Sequence, residues 1–187
     1  MSDVALSKES PKYAGLKVSR EEYLSLPDDG FNYDMIDGVL TLSPSGFFDH
    51  GKIANRFGHT LQNYLDRNSS GELTIETDIF LPDGGDVLRP DISFILNENL
   101  SIVKGHIHGV PDLICEVLSD STRSRDLGVK ADRYLLNGVK EYWIVDPKVK
   151  EIQVWINLNQ KEWEKISGDV LNSKLLSGFL ITKGSLF

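Results

Sequence analysis

The stretch from Pro111 to Pro147, PDLICEVLSDSTRSRDLGVKADRYLLNGVKEYWIVDP, decides the fold. An apolar strand at 112–118 is followed by a polar turn, an amphipathic helix from about Arg125 to Asn137, and a second apolar strand at 140–146. A helix between two nearly continuous apolar strands is typical of a right-handed crossover between parallel neighbours, with both strands buried on two faces. The sequence therefore predicts a mixed sheet with at least one helix packed on it.

Local signals on either side extend this prediction. Ser19 and Glu22 form a capping box for a short helix, and the pair Asp37-Gly38 predicts a hairpin turn. A longer amphipathic helix is predicted from about Asp49, a possible N-cap, to Arg67. Strands are predicted at 73–79 and 89–96, followed by a polar, flexible stretch at 97–109.

The complete pattern predicts an α/β (mixed α+β) fold, in which a mixed β-sheet is flanked by helices. An N-terminal hairpin and C-terminal antiparallel strands are added to that core. We expect a single domain over 1–187, with a loose N-terminal arm at 1–16 and the motif-bearing core at 30–147. Three tryptophans, Trp143, Trp155 and Trp163, lie in strand patterns and are predicted to be core or subunit-interface residues.

Composition restricts the class of protein. The 187 residues are 40% hydrophobic and 26% charged, which is typical of a soluble globular protein, and no apolar run is long enough for a membrane span. The one cysteine, Cys115, excludes an internal disulfide, fits a reducing cytoplasm and is predicted to be a buried, inert thiol. The net charge of −8 disfavours a nonspecific coat of phosphate contacts but leaves a local nucleic-acid site possible.

Glu116 is the unexpected residue of the first strand, because it interrupts an apolar run and a buried carboxylate needs a cation or hydrogen-bond donors. The alternative is an edge strand with Glu116 in solvent. Asp91, after Pro90 at the start of another predicted strand, can face the same crevice. Two carboxylates with open positions for water suit Mg²⁺ or Mn²⁺.

The predicted buried stripe of the helix is formed by Leu127, Ala131, Tyr134 and Leu135. Lys130 lies at the edge of this stripe. From there it can snorkel to solvent, or it can reach Asp91 and Glu116 and stabilise negative charge on a phosphate. Asp34, in the hairpin, is either a third carboxylate of the site or a surface acid.

The segment 119–126, SDSTRSRD, has the composition of a phosphate-binding turn at a helix N-terminus. N-capping explains the hydroxyls equally well, but it leaves two arginines without a role. His50 is either a phosphate contact or a helix cap. The candidate phosphate or DNA contacts are Ser119, Ser121, Thr122, Arg123, Arg125 and His50.

These motifs together resemble a known family. YDMIDGVL, RPDISFI, PDLICEVLS, ST-x₃-D-x₃-K-x₃-Y and GVKEYWIVDP are similar to the motifs of the Uma2-type restriction endonuclease family, within the PD-(D/E)xK nuclease superfamily. The resemblance implies that Asp91 is the Pro-Asp acid, that Glu116 is the acid of the next strand, and that Lys130 is the catalytic lysine moved onto the following helix. It also implies that Asp34 stands where the family usually has glutamate, and that Asp126 and Tyr134 support these residues from behind.

The favoured hypothesis is a Mg²⁺-dependent endonuclease that hydrolyses DNA, with Asp91, Glu116 and Asp34 binding the metal and Lys130 assisting catalysis. One alternative is a nuclease-fold protein with a decayed site, acting as a DNA-binding or protein-interaction module. Another is an RNA or nucleotide phosphohydrolase. Cutting both strands of double-stranded DNA requires two active sites, so we expect a homodimer. We also expect a cytoplasmic protein without a membrane segment.

Overall fold

The computed structural model describes residues 10–43, 47–82 and 85–187. The strands, in chain order, are β1 (Asn32–Ile36), β2 (Val39–Ser43), β3 (Gly71–Ile75), β4 (Ile79–Phe80), β5 (Val87–Leu88), β6 (Ile92–Leu96), β7 (Val103–Lys104), β8 (His106–Ile107), β9 (Leu113–Val117), β10 (Glu141–Asp146), β11 (Glu151–Leu158), β12 (Glu162–Ser167), β13 (Val170–Asn172) and β14 (Leu180–Thr182). The α-helices are α1 (Arg20–Ser25), α2 (Phe48–Asn68), α3 (Arg123–Arg125), α4 (Ala131–Asn137) and α5 (Lys183–Leu186).

The main sheet has the strand order β12-β11-β10-β9-β6-β3. Strands β9 and β10 run parallel, and the other neighbours in this sheet are antiparallel. The predicted parallel pair and mixed sheet are therefore confirmed. Since β9 lies between β10 and β6, the alternative that placed Glu116 on a solvent-exposed edge strand is wrong.

Each face of the main sheet has its own apolar core. On one face, Phe57 and Leu61 of α2 pack in a cluster with Cys115 of β9 and Trp143 of β10. On the other face, Ile114 packs with side chains from α4 and from a smaller sheet of order β2-β1-β5-β4-β8-β7. The side-chain alternation along β9 thus places Cys115 on the α2 face and Glu116 on the face that α4 and the smaller sheet cover.

Several local predictions are confirmed. Ser19 and Glu22 form the reciprocal capping box of α1, and Asp37 and Gly38 turn the β1–β2 hairpin with φ values of 53° and 77°. Cys115 is fully buried, and burial raises the pKa of its thiol well above the usual range, as expected of an inert cysteine.

Other local predictions are wrong. The N-cap of α2 is Phe47, so Asp49 lies in the first turn instead of capping it. The predicted strand at 89–96 begins only at Ile92, because Val87–Leu88 pairs in the smaller sheet and the next three residues carry the chain across to the main one. The predicted flexible stretch at 97–109 contains a 3₁₀ helix (Asn97–Ile102) and the β7–β8 hairpin.

Residues 15–16 near the N-terminal side and the C-terminal segment pack on the body. Residues 1–9 of the expected N-terminal arm lie outside the described residues, whereas Gly15 and Leu16 are hydrogen-bonded to Leu40 of β2 and are not loose. At the other end, Leu171, Phe179 and Leu186 belong to the core beneath α2. Within the described parts of the chain, no helix is long and apolar enough to cross a membrane.

The tryptophans are internal. Trp143 and Trp155 are buried within the chain, and Trp163 is partly buried against Trp155. They are core residues, so they give no support to the expected homodimer.

The helical segment that follows β9 is irregular at the position that matters for the site. Between α3 and α4 the helical segment Asp126–Lys130 is kinked at Gly128, which has the non-helical angles φ −111° and ψ −107°. The kink shifts the helical phase, so Leu127 is exposed instead of buried, while Lys130 is buried.

Candidate active site

Two carboxylates meet where β6 begins and β9 ends. The β6–β9 register pairs Ile92 with Cys115, so Asp91 lies one step further on, beside Glu116. The backbone N–H of Asp91 donates to Glu116 Oε2 at 3.3 Å, and the N–H of Val117 donates to Asp91 Oδ2 at 2.6 Å. Strand pairing therefore produces this pair of acids from residues that lie far apart in sequence.

Glu116 is buried and hydrogen-bonded. Its Oε1 accepts from Lys130 Nζ at 2.8 Å and from the Tyr134 hydroxyl at 3.2 Å. Burial raises the pKa of Glu116 well above its usual range, and the nearby charges of Asp126 and Asp91 add to this, while Lys130 opposes it. A cation placed at these acids would therefore favour the ionised form.

Lys130 is the central cation of the site. Its Nζ lies 3.6 Å from Asp126 Oδ1 and 3.7 Å from Asp34 Oδ2, and it donates to the carbonyl oxygen of Arg89 at 3.3 Å. Burial acts to lower the pKa of Lys130, but the charges of Asp34, Glu116 and Asp126 outweigh it, so the pKa is raised well above its usual value. Lys130 is thus an ammonium ion at neutral pH.

Asp34 has a different position from the one expected of a metal ligand. Its carboxylate is fully buried behind Lys130, where Oδ1 accepts from the N–H of Arg89 at 2.8 Å and Oδ2 lies 3.3 Å from Arg125 Nε. Unlike Asp91 and Glu116, it does not line the pocket at the strand ends. The geometry favours a counter-ion for Lys130 and Arg125, and a role of Asp34 in metal binding stays a prediction.

Asp126 and Tyr134 stand where supporting residues were expected. Tyr134 is buried and donates to Glu116, and Asp126 is buried beside Lys130, two residues before the kink at Gly128. Burial raises the pKa of Asp126, while the charge of Lys130 opposes the shift. Lys130 is therefore surrounded by three buried carboxylates.

His50, in the first turn of α2, faces Asp91. Its Nε2 lies 3.2 Å from Asp91 Oδ2, and this contact raises the pKa of His50 although partial burial acts to lower it. The Asp91 carboxylate thus favours the charged form of the His50 imidazole.

The candidate phosphate contacts divide into two groups. Ser119 and Thr122 line the pocket, and Ser121 is hydrogen-bonded to Ser119 at 3.0 Å. The two arginines, by contrast, have protein partners: Arg123 donates to Asp146 at 2.6 Å, and Arg125 donates to the carbonyl oxygen of Leu42 at 3.0 Å. These two arginines are therefore explained by their protein partners, and no bound anion is needed to account for them.

Sequence reasoning missed four polar residues that also line the pocket: Asn32, Ser43, Glu76 and Arg89. Glu76 has a positive φ of 48°, and its N–H donates to the carbonyl oxygen of Asp91 at 3.1 Å. The one available signal was Arg89, which directly precedes the Pro-Asp pair. The others come from a hairpin and a strand end whose places depend on long-range pairing.

The donor chemistry of the pocket fits a hard divalent cation in part. Asp91 and Glu116 supply carboxylate oxygens at one place, and Mg²⁺ commonly takes one or two carboxylates and keeps several waters. Residues 10–43, 47–82 and 85–187 contain no group of three or more His, Cys, Asp or Glu side chains arranged to hold a metal.

Comparison with solved structures identifies the class of fold. The chain superposes with a TM-score of 0.78 on a crystal structure described as a putative nuclease belonging to DUF820 from Anabaena variabilis, at 18% identity, covering 91% of this chain and 97% of that one. The architecture is therefore that of a nuclease-like mixed α/β fold, as the sequence predicted.

Family membership follows from the sequence match. Residues 20–182 match the model of the Uma2 family, which is described as putative restriction endonuclease, and the chain belongs to that family. The resemblance inferred from the motifs is confirmed. No curated protein matches the chain.

Proposed function

We propose that this protein is a metal-dependent endonuclease that hydrolyses phosphodiester bonds of double-stranded DNA, with Mg²⁺ or Mn²⁺ held by Asp91 and Glu116. The observation that carries the proposal is the convergence of these two acids and the Lys130 ammonium on one pocket, in a chain of the putative restriction endonuclease family. Each of the three groups has a role in phosphoryl-transfer chemistry.

When bound, a divalent cation supplies a Lewis acid for the phosphate and lowers the pKa of water. The protein residues supply the rest. Lys130 keeps its proton because three carboxylates surround it, so it acts as a fixed positive charge toward the phosphate and not as a general base. Asp34 and Asp126 hold that ammonium in place.

The rim of the pocket suits a nucleic acid. His50, Ser119 and Thr122 line the pocket with an imidazole and hydroxyls, from which phosphate oxygens would accept hydrogen bonds. Beside His50, the side chains of Phe47 and Phe48 are 87% and 83% exposed. Exposed aromatic rings at a nuclease site can stack on bases, and such stacking is insensitive to sequence.

The proposal is tested by combining metal binding with DNA nicking. The variant Asp91→Asn removes one acid with little change in volume, so Mn²⁺ binding by calorimetry and Mn²⁺-dependent nicking of plasmid DNA should both be lost. Asp120→Asn is the matched control, because its carboxylate is 80% exposed and pairs only with Lys148 at the surface. Nicking by Asp91→Asn at the wild-type rate would refute the assigned site.

A second candidate is a non-catalytic DNA-binding or protein-interaction module. The net charge of −8 and the lack of a three-ligand metal group in the described residues favour it. Such a protein would give no calorimetric signal with Mn²⁺.

Running the same nicking assay on RNA and on nucleotides separates the third candidate, an RNA or nucleotide phosphohydrolase. A light-scattering mass of two chains would support the proposed homodimer.

A further inference from the structure

A second pocket adjoins the active site on the side of the β1–β2 hairpin. We call it the aromatic pocket; its walls include the half-buried rings of Tyr13, Tyr23 and Phe31, and its polar side chains include Asn32, Asp78, Arg89 and His106. Its volume is about 350 Å³, which is at the lower end of the range for small-molecule sites. The proposed hydrolysis does not use this space.

Arg89 and Asn32 line both pockets, so the two are adjacent and share a wall. In the aromatic pocket, Arg89 Nε donates to Asp78 Oδ1 at 2.7 Å and Arg89 Nη1 donates to Asn32 Oδ1 at 2.6 Å. The backbone of Arg89 faces the other way: its carbonyl oxygen accepts from Lys130 and its N–H donates to Asp34. One residue therefore contacts the contents of both pockets.

The lining indicates the chemistry of a ligand. Asp78 is buried; its Oδ1 accepts from Arg89 Nε at 2.7 Å and its Oδ2 accepts from the Tyr23 hydroxyl at 3.0 Å, and each carboxylate oxygen can accept one more hydrogen bond. Asp28 and Asp29 also line the space, whereas the lining arginine is already paired with Asp78, so a flat ring with amino donors is favoured over a phosphate. Burial and the charge of Asp78 both raise the pKa of Tyr23, so its hydroxyl stays a neutral donor at physiological pH.

We propose that the aromatic pocket receives one nucleobase of the substrate strand, next to the phosphate held at Asp91 and Glu116. The inference rests on the proposed nuclease function and deepens it. The base is taken out of the helical stack, lies against Tyr23, and directs its amino group to Asp78. Arg89 lines this pocket and accepts a hydrogen bond from Lys130, so binding of a base is coupled to the catalytic lysine. The enzyme thereby selects a nucleotide beside the cut.

The first test is cleavage of DNA duplexes that carry a single abasic site, moved one position at a time past the cut. We expect one position at which the loss of the base lowers kcat/KM about tenfold, in line with the stacking of one base on an aromatic ring. In Tyr23→Leu this difference between intact and abasic substrate should disappear. Tyr64→Phe is the control, because it also loses one hydroxyl hydrogen bond, to the carbonyl oxygen of Ser177, but on a remote face.

The second test does not need cleavage. Single-stranded 12-mers with 2-aminopurine at one position are titrated with protein; we expect quenching at one position for wild type and Tyr64→Phe, and none for Tyr23→Leu. The near-ultraviolet circular dichroism spectrum checks that Tyr23→Leu folds, and Tyr23→Phe, which keeps the ring, should retain the quenching.

The two proposals fail in different ways. Quenching without nicking supports the base pocket and refutes the assigned catalysis. Nicking at equal rates on every abasic duplex, or quenching that is unchanged in Tyr23→Leu, overturns the base pocket and leaves the nuclease standing. Absence of both signals overturns the base pocket as well.

Discussion

Replacing Lys130 by methionine removes the one cation that three buried carboxylates share, while it keeps most of the side-chain volume. The Nζ atom lies 2.8 Å from Glu116, 3.6 Å from Asp126 and 3.7 Å from Asp34, and the lysine side chain is 3% exposed. Removing one partner of a buried ion pair typically costs about 3–5 kcal/mol, because a charge is left without compensation. We expect Lys130→Met to lower the free energy of unfolding by about 3–5 kcal/mol at pH 8.

The size of this loss should depend on pH. The folded-state pKa values of Glu116 and Asp126 lie above their unfolded values of about 4. Ionisation of these acids therefore opposes folding as the pH rises above that value, and more so without Lys130. Lys130 has a raised folded-state pKa, so its contribution is complete below about pH 10 and changes little between pH 5 and 8. The loss in Lys130→Met should thus be larger at pH 8 than at pH 5.

Urea unfolding at the two pH values measures both effects. The control is Lys148→Met, because the Lys148–Asp120 pair has the same type of contact at 2.9 Å but its side chains are 67% and 80% exposed. We expect a change within about 0.5 kcal/mol there. The double variant Lys130→Met/Glu116→Gln should recover part of the loss. A loss below about 1 kcal/mol at pH 8, or one that does not vary with pH, would refute the charge balance inferred for the site.

Three other outcomes follow from particular contacts. The buried carboxylate of Glu141 accepts hydrogen bonds from Trp143, Ser173, Lys174 and Leu175. Glu141→Gln should therefore lower the free energy of unfolding by about 1.5–3 kcal/mol and speed hydrogen exchange at the amides of residues 174 and 175. Unchanged exchange would contradict this anchoring role. Gly71→Ala should lower the free energy of unfolding, measured by thermal unfolding, by about 1–3 kcal/mol, since the added methyl group would collide with the carbonyl oxygen of Ile95 and the ring of Phe94. Gly168→Ala is the control, because a methyl group has more space there. Phe47→Ala/Phe48→Ala should weaken single-stranded DNA binding in fluorescence anisotropy by at least about fivefold without changing the melting temperature, because the rings are exposed; equal affinity would exclude them as stacking residues.

Much of the architecture was predictable because its signals are local. The capping box of Ser19 and Glu22 and the Asp37-Gly38 turn depend on residues within four positions of one another. The period of α2 and the apolar runs of β9 and β10 reflect burial against whatever lies opposite, so they appear in the sequence without knowledge of the partner. The apolar runs also imply that Glu116 is exceptional.

The positions where helices and strands are interrupted or begin were not predictable. The predicted helical stripe assumes 3.6 residues per turn, but the kink at Gly128 breaks that phase, so Leu127 is exposed and Lys130 is buried. The start of β6 was placed three residues early because Val87–Leu88 has its partner in another sheet. In both cases tertiary packing outweighs local preference.

The available groups can be read from the amino-acid sequence: a glutamate in an apolar strand, a Pro-Asp pair and a lysine on the next helix, together with the family motifs. How these groups combine depends on the tertiary structure. It aligned Asp91 with Glu116 through the β6–β9 register, put Asp34 behind Lys130 instead of in the pocket, and brought Arg89 between two pockets. The physical reason is that a buried charge takes the partner that the folded backbone places within about 4 Å, and sequence spacing does not encode that distance.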